Sequence, residues 1–185
     1  MVLGSSSPRR RDLLAQLGLD IDIRPADIDE TERPGEDPVA YVRRLAIEKA
    51  AAIAAAPDEL VIAADTTVDL DGRVLAKPAD DDEVRSMLRS LSARTHRVHT
   101  GVTLRMGDAE ATAVATTFVT FTPITAGALE WYLGTGEPFG KAGAYAIQGA
   151  GGVFVSSVQG SVSNVVGLPL TTVVALARRL GVELV

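Results

Sequence analysis

Apolar residues along the chain follow two periods, one typical of helices and one typical of strands, and the two kinds of segment alternate. After Ser7-Pro8, a helical stripe is formed by Leu13, Leu14 and Leu17, and Gly18 is placed to end it. The same criteria predict helices over 8–18, 38–56, 80–91, 125–133 and 169–180. Short apolar or alternating runs predict strands over 1–4, 21–23, 60–64, 67–70, 73–76, 95–104, 111–121, 153–158, 162–166 and 182–185.

Tight turns join several of these strands, with the clearest at Asp71-Gly72 and Gly107-Asp108. Antiparallel hairpins among interleaved helices favour an α/β fold with a mixed sheet and flanking helices over a purely parallel sheet. The polar stretch 26–38 is expected to be a loop, and the glycine-rich stretch 134–152 a loop with a strand. The chain has 185 residues without an internal repeat or linker, so a single domain over 1–185 is expected.

Composition narrows the class of protein. The chain is 46% hydrophobic with a net charge of −6, whereas proteins that coat nucleic acid normally present a basic face, so no nucleic-acid partner is expected. The few aromatic residues, among them Trp131 and Tyr132, form no stacking array and are expected in the core. There are no cysteines, which excludes thiolate chemistry. No apolar run is long enough for a membrane span or a signal peptide, so we expect no membrane partner and a cytoplasmic location.

The segment Leu3–Arg10 concentrates hydroxyls and guanidiniums at a predicted helix start. Helix starts carry unpaired N–H groups and a partial positive charge, and the side chains of Ser5, Arg9 and Arg10 add donors to them. This arrangement is typical of a phosphate-binding site. A capped helix with solvated arginines is the alternative, and the segment alone does not separate the two.

Lys49 falls on the apolar stripe of its predicted helix. A lysine there either extends to solvent, the commoner case, or meets a buried anion. Asp65 follows the apolar run 60–64, where a carboxylate either caps a turn or serves as a metal ligand or base. Glu30 lies in an acidic loop that is either solvated or able to hold Mg²⁺, and Lys77 is either a strand-edge guard or a site residue.

A second segment, Gly140–Gly149, combines small residues with the donors Lys141 and Gln148. Its glycine spacing matches neither a Walker loop nor a dinucleotide-binding fingerprint. His96 and His99 are the only histidines, and three residues apart on a strand they face opposite sides, which argues against a zinc pair.

Taken together, the segments resemble the Maf family of nucleoside triphosphate pyrophosphatases, also called septum formation inhibitor proteins. The matching pieces occur in family order: Leu3–Arg10, Ile28–Glu30, Glu48–Ala50, Ala64–Thr66, Lys77-Pro78, Lys141–Gly149 and Val166–Leu170. The resemblance implies a curved mixed sheet akin to the inosine triphosphate pyrophosphatases, a deep cleft and a homodimer. It also implies cleavage between the α- and β-phosphates, and the sequence Tyr145–Gln148 is similar to the branch acting on dTTP, UTP and modified pyrimidine nucleotides.

The resemblance also implies a role for each candidate residue. Asp65 would be the catalytic base and, with Glu30, would hold Mg²⁺ or Mn²⁺. The substrate-binding residues would be Ser5, Arg9, Arg10, Lys49, Lys77 and Gln148. Two positions depart from the family pattern, with Gly4 in place of alanine and Gly140 in place of the aspartate common in this branch. A second hypothesis is a non-catalytic nucleotide- or partner-binding regulator of cell division, which would need the cations but not the carboxylates.

Overall fold

Seven strands form one mixed sheet in the computed structural model, which describes residues 1–185. The strands are β1 (Val2–Leu3), β2 (Asp22–Ile23), β3 (Val61–Leu70), β4 (Arg73–Leu75), β5 (Thr95–Met106), β6 (Ala109–Phe121) and β7 (Val155–Gln159). The helices are α1 (Pro8–Ala15), α2 (Pro38–Ala52), α3 (Asp81–Leu91), α4 (Ala126–Leu133), α5 (Val162–Val166) and α6 (Leu170–Arg179). The predicted α/β fold, a mixed sheet with flanking helices, is confirmed.

The order of the strands is β2-β1-β3-β5-β6-β7, and β4 pairs with β3 outside this path. The strands β1, β2 and β3 are parallel to one another, whereas the long strands β3, β5 and β6 are antiparallel. The tight turns at Asp71-Gly72 and Gly107-Asp108 connect the antiparallel pairs β3–β4 and β5–β6, as the sequence predicts.

One edge of β3 is left open in its middle. Along one edge, β3 pairs with β5 from Val61 to Asp69. Its opposite edge pairs with both β1 and β4, each over a short stretch. The strand β1 pairs up to Ile62, and β4 begins to pair at Val68. Between these points the backbone of β3 has no strand neighbour on that side, and a gap in the sheet results. The gap contains Asp65 and Thr66, whose side chains point to opposite faces of the strand.

Helix α2 lies against β3 and β5 through an unusually close contact. Its N-terminus is capped by Asp37, whose carboxylate accepts hydrogen bonds from the backbone of Val39 and Ala40. A Cβ at Gly101 of β5 would lie 2.2 Å from the carbonyl oxygen of Val42, which no side chain can do. The glycine therefore sets the depth of the helix, and Lys49, two turns further on, is buried over the sheet.

Two apolar clusters cover the sheet. The larger cluster contains 15 buried residues from α3, α4 and the segments near them, including Tyr132 and Phe154. The other cluster contains 14 buried residues and joins α1 and α6 to β3 and β5. Tyr132 is in the core as predicted, but Trp131 beside it is 53% exposed, so that part of the expectation is wrong. No helix has both the length and the apolar character that crossing a membrane requires.

Four sequence predictions of secondary structure are wrong. Residues 162–166 form α5 and not a strand, because Ser161 caps the helix and the buried Asn164 holds it against β5 and β6. Residues 182–185 form no strand. The stretch 134–152 contains no strand either, and the chain makes 3₁₀ turns at Ala142–Ala144 and Ala150–Phe154. The runs 60–64 and 67–70 are not separate strands but parts of β3, and β3 continues through Asp65 without a turn.

We expect Gly101→Ala to destabilise the fold by about 2–3 kcal/mol, because the added methyl must push α2 away from the sheet. Urea unfolding followed by circular dichroism measures the change. Gly127→Ala is the matched control, since Gly127 lies in α4 with no atom within 4 Å of its Cβ position, and alanine there should stabilise by up to about 1 kcal/mol. Equal stability of the Gly101→Ala and unaltered chains would contradict the close contact.

Candidate active site

A cleft of about 330 Å³ opens where β3 lacks a strand neighbour. All the candidate residues of the sequence analysis line it: Ser5, Arg9, Arg10, Glu30, Lys49, Asp65, Lys77 and Gln148. They come from six separate parts of the chain, namely the start of α1, the loop before α2, α2, β3, the end of the β3–β4 hairpin, and the segment after α4. The structure therefore brings together every residue that the sequence selects.

Arg10 fixes the start of α1 to the cleft wall. Its guanidinium donates from Nε to the carbonyl oxygen of Gly167 at 2.8 Å and from its two terminal nitrogens to Ser5 Oγ and Thr66 Oγ1, both at 3.1 Å. Burial lowers the pKa of Arg10, and the nearby charge of Asp65 opposes that shift. Arginine remains charged under all ordinary conditions. Arg10 therefore places a positive charge in a fixed position beside the unpaired N–H groups at the start of α1. The alternative of solvated arginines is therefore wrong for Arg10.

Lys49 lies between two carboxylates. Its ammonium is 2.7 Å from Asp65 Oδ1 and 2.7 Å from Glu30 Oε1, and only 9% of its side chain is exposed. Burial opposes ionisation of Glu30, but the hydrogen bond from Lys49 and the neighbouring positive charges outweigh it and lower its pKa. Of the two alternatives for Lys49, the buried anion is therefore confirmed.

The loop that carries Glu30 is tied to α2 by other contacts. The hydroxyl of Tyr41 donates to the carbonyl oxygen of Glu30 at 3.0 Å, and Arg44 donates to the carbonyl oxygen of Thr31 at 3.1 Å. Burial and the charges of Asp65 and Glu30 raise the pKa of Tyr41 to about 12, so this hydroxyl stays a donor throughout the physiological range. The position of Glu30 is thus set by α2 and not by the loop alone.

Asp65 lies within β3 and caps no turn, so that alternative is wrong. Its Oδ1 accepts the hydrogen bond from Lys49, while its Oδ2 has no protein partner and is not sealed from solvent. One oxygen is therefore held by a cation and the other is available to a molecule in the cleft.

The cleft is positive although the chain as a whole has a net charge of −6. Arg9, Arg10, Lys49, Lys77 and Lys141 line it, against the carboxylates of Glu30 and Asp65. Arg9 and Lys77 form none of the ion pairs of the structure, so their charges are not neutralised within the protein. Low-dielectric walls around unpaired cations attract an anion more strongly than the same charges would on an open surface.

The remaining wall is the segment 140–149. Gln148 is exposed to the cleft, and Lys141 donates to the backbone carbonyls of Glu137 and Phe139 at 2.5 and 3.3 Å. Burial and the charge of Arg9 lower the pKa of Lys141. Behind this wall, the hydroxyl of Tyr145 hydrogen-bonds to His96 Nε2 at 2.8 Å, and burial lowers the pKa of His96 to about 4.

The two histidines have separate partners, since His99 Nε2 lies 3.0 Å from Asp69 while His96 contacts Tyr145. The structure contains no group of three or more histidine, cysteine, aspartate or glutamate side chains placed to hold a metal ion. The pair Glu30 and Asp65 converges on one ammonium, so a cation that binds there would have these two carboxylates as its protein ligands.

Sequence reasoning selected Ser5 but gave no role to the other two residues that hold Arg10, Thr66 and Gly167. The hydroxyl of Thr66 lies 3.1 Å from Arg10 and 2.9 Å from Thr100 Oγ1, and Thr100 in turn donates to the carbonyl oxygen of Asn164. A threonine in a strand is usual, so its type does not mark Thr66 as a partner of Arg10. Its only signal in the sequence is its place after Asp65 in the segment Ala64–Thr66, which carries part of the family resemblance, and the gap in the sheet that exposes it depends on tertiary pairing.

The family model described as Maf-like protein matches residues 1–180. This chain belongs to the Maf-like protein family.

Curated Maf-like relatives match over nearly their whole length. A dTTP/UTP pyrophosphatase of Anaeromyxobacter dehalogenans (strain 2CP-C) is 55% identical, covering 100% of this chain and 95% of the relative. A dTTP/UTP pyrophosphatase of Myxococcus xanthus is 54% identical, covering 100% of this chain and 94% of the relative. A dTTP/UTP pyrophosphatase of Chromobacterium violaceum is 46% identical, covering 98% of this chain and 95% of the relative. Among solved structures, the Staphylococcus aureus Ham1 protein aligns with a TM-score of 0.43 and 19% identity, covering 67% of this chain and 71% of that chain.

The two departures from the Maf family pattern have different surroundings. A Cβ at Gly4 would lie 3.1 Å from Ile53 Cγ1, so alanine there requires only a small movement of one side chain. Gly140 has φ of +72° and no atom within 4 Å of its Cβ position. A Cβ at position 140 would thus meet no neighbour, and aspartate tolerates this backbone conformation better than most residues.

We expect Lys49→Met to destabilise the protein at pH 7 by about 3 kcal/mol, because it leaves Asp65 buried without its cation. The lowered pKa of Glu30 contributes stability that is present above the ordinary glutamate pKa of 4.5 and is lost as the pH falls through the folded-state value. The variant lacks this contribution, so its deficit should be largest at neutral pH and shrink under acid. Urea unfolding at pH 7 and pH 4 measures both.

Arg33→Met is the matched control, because it removes a cation from the exposed pair with Glu48 and should cost less than about 1 kcal/mol. A Lys49→Met deficit as small as that of the control, or one that grows on acidification, would contradict the buried arrangement.

Proposed function

We propose that this protein hydrolyses nucleoside triphosphates, in particular dTTP and UTP, to the monophosphate and pyrophosphate. The observation that carries the proposal is the meeting of five cations and two carboxylates in one cleft of a chain whose net charge is −6. The printed names of the relatives at 54–55% identity, dTTP/UTP pyrophosphatase, give the reaction class and the bases.

The phosphate chain would bind at the start of α1. Arg9 and Lys77 have no anionic partner in the protein, so they attract the triphosphate without first breaking an ion pair. Arg10 and Ser5 hold each other at 3.1 Å and present a charge and a hydroxyl in fixed positions. Donors fixed before the substrate arrives lose little entropy on binding it, which favours tight and oriented binding.

Asp65 would act as the base. A water molecule hydrogen-bonded to Asp65 Oδ2 attacks the α-phosphorus, and the carboxylate takes its proton. The new bond joins the water oxygen to the α-phosphorus, and the bond from that phosphorus to the oxygen bridging to the β-phosphate breaks. The electron pair leaves with pyrophosphate, whose added charge is met by Lys77, Arg9 and Arg10. Lys49 holds Oδ1 at 2.7 Å and so fixes the direction of Oδ2.

Glu30 and Asp65 fit a divalent cation in type and arrangement. Both are carboxylates that line the cleft, and each uses one oxygen to contact Lys49, which leaves Glu30 Oε2 and Asp65 Oδ2 without a hydrogen-bond partner in the protein. Mg²⁺ and Mn²⁺ prefer oxygen ligands, and Mg²⁺ is usually bound by one or two carboxylates with waters and substrate phosphates completing its shell. When bound, such an ion would supply charge neutralisation at the phosphates and acidify water.

Gln148 would contact the base or position the nucleotide. It is exposed and lines the cleft, and its amide offers both a donor and an acceptor, as a pyrimidine edge requires. Action on modified pyrimidine nucleotides, a homodimer and a cytoplasmic location are further parts of this proposal and stay predictions.

A non-catalytic regulator of cell division is the weaker alternative. The names of the relatives describe enzymes, and a binding protein has no use for a carboxylate with one oxygen free in a cationic cleft. Nucleotide binding without any product in the presence of divalent cations would favour the regulator.

Asp65→Asn should reduce kcat for UTP by about 10³-fold and leave the affinity for UTP within a few fold, because the amide keeps the shape of the side chain but takes no proton. Released pyrophosphate is measured as orthophosphate after treatment with an inorganic pyrophosphatase. Asp12→Asn, at an exposed position paired with Arg11, is the control and should retain full activity. Orthophosphate released without the added pyrophosphatase would show that a different bond breaks.

Removal of divalent metal by a chelator should abolish turnover, and Mg²⁺ or Mn²⁺ should restore it. In Glu30→Gln the Mn²⁺ concentration needed for half-maximal activity should rise about tenfold or more, since one of two carboxylate ligands is lost. Calorimetric titration of the nucleotide-bound protein with Mn²⁺ gives an independent readout. Full activity in the presence of excess chelator would refute the metal requirement.

A further inference from the structure

The cleft wall that carries Gln148 is rich in glycine and has no regular strand or long helix to support it. A glycine-rich segment loses more conformational entropy on ordering than any other kind of sequence. Something outside the segment must therefore hold it if Gln148 is to occupy one position.

Glu137, which follows α4, supplies this support. Its carboxylate accepts hydrogen bonds from the backbone N–H of Ala150 at 2.8 Å and of Gly151 at 2.9 Å. It also accepts one from the hydroxyl of the buried Tyr132 at 2.9 Å, and the N–H of Ala146 donates to that same hydroxyl at 3.3 Å. Both ends of the stretch that contains Gln148 are thus bound to one pair of side chains.

The glycines of the stretch fit this pair sterically. A Cβ at Gly149 would lie 2.0 Å from Glu137 Oε2, and a Cβ at Gly151 would lie 2.7 Å from the hydroxyl of Tyr132. Gly149 cannot carry a side chain while Glu137 is in place, and Gly151 cannot carry one while Tyr132 is in place. The absence of side chains at these glycines therefore lets the carboxylate of Glu137 reach the backbone. Its hydrogen bonds then fix a backbone that the glycines would otherwise leave flexible.

No lysine or arginine side chain forms an ion pair with this carboxylate, and the nearby Lys141 donates to the backbone carbonyls of Glu137 and Phe139 instead. Burial opposes ionisation, but hydrogen bonds from the backbone of Gly151 and Ala150 and from Tyr132 outweigh it and lower the pKa of Glu137. The carboxylate is thus an anion held by backbone N–H groups.

We propose that Glu137 is a positioning residue for recognition of the base, acting through Ala150, Gly151 and Tyr132 to hold Gln148 in the cleft. This inference rests on the proposed function and deepens it, since it separates the binding of the base from the binding of the phosphates. The phosphate-binding groups at the start of α1, on α2 and at Lys77 have no contact with Glu137.

The test compares two probes, a UTP analogue with an α,β-imido bridge, which is not cleaved, and inorganic tripolyphosphate, which has no base. Glu137→Ala should weaken binding of the UTP analogue by about 10- to 100-fold, because a displaced contact group loses most of its effect. Binding of tripolyphosphate should stay within about twofold. The preference for UTP over purine triphosphates in kcat/KM should fall by a similar factor.

Further variants separate positioning from folding. Glu137→Gln keeps an acceptor and should have an intermediate effect, while Tyr132→Phe should lose part of the UTP affinity. Glu130→Gln, at an exposed position on the preceding helix α4 and paired with Arg85, is the matched control and should change neither probe. Thermal unfolding of each variant identifies any that fails to fold, in which case Glu137→Gln decides the matter.

Amide hydrogen exchange of the ligand-free protein supplies a readout that needs no turnover. Exchange at Ala150 and Gly151 should accelerate in Glu137→Ala and stay unchanged in Glu130→Gln. Unchanged UTP affinity in Glu137→Ala, or an equal loss for UTP and tripolyphosphate, would overturn the inference. Pyrophosphate release by the unaltered chain tests the proposed function separately, because neither binding nor exchange depends on hydrolysis.

Discussion

The contact of Lys49 with Asp65 and Glu30 is the interaction on which the arrangement of the cleft depends. It joins α2, β3 and the loop before α2 through one nitrogen, with both oxygens at 2.7 Å. A buried carboxylate without a cation, or a buried ammonium without an anion, costs several kcal/mol, so none of the three elements can move away alone. The ion group contributes less to net stability than apolar residues of equal volume would, but it allows only one relative position of helix, strand and loop.

Two features of the backbone make this contact possible. Gly101, which pairs directly with Asp65 in the sheet, lets α2 approach until the carbonyl of Val42 lies over β5. The early end of β1 and the late start of β4 leave β3 without a neighbour beside Asp65. The first feature brings Lys49 down to the sheet, and the second opens the sheet so that a ligand can reach the same carboxylate. A continuous sheet with the same side chains would bury Asp65 and have no cleft.

Part of this could be predicted from the sequence because it depends on local chemistry. Asp37-Pro38 marks the start of α2 correctly, and Asp71-Gly72 marks the β3–β4 turn. The five-residue helix α5 could not be predicted, because its valines favour a strand and the contacts of Asn164 that decide the matter come from β5 and β6. Short elements depend on tertiary contacts more than on their own propensity.

The candidate site follows the same division. The spacing of apolar residues places Lys49 on an apolar stripe but does not identify the anion that it contacts. The resemblance to a family implied that Lys49 belongs to the site. Glu137 was not selected at all, since a glutamate after a helix is usual on a protein surface. Only the position of its carboxylate against Ala150 and Gly151 distinguishes it. Residues that act through backbone N–H groups leave little trace in sequence, because any residue type can provide such a donor.

The cations of the cleft differ in how many protein acceptors and carboxylates they already contact. Arg10 has three protein acceptors, whereas Arg9 and Lys77 have no ion-pair partner and, in the proposed function, would supply most of the attraction for a phosphate chain. Lys49 is intermediate, because an ammonium has three donors and two are used by Glu30 and Asp65. In the proposed function its third N–H would bind a phosphate while the other two hold the carboxylates in position. The same residue would then link binding of the anion to the orientation of Asp65 Oδ2.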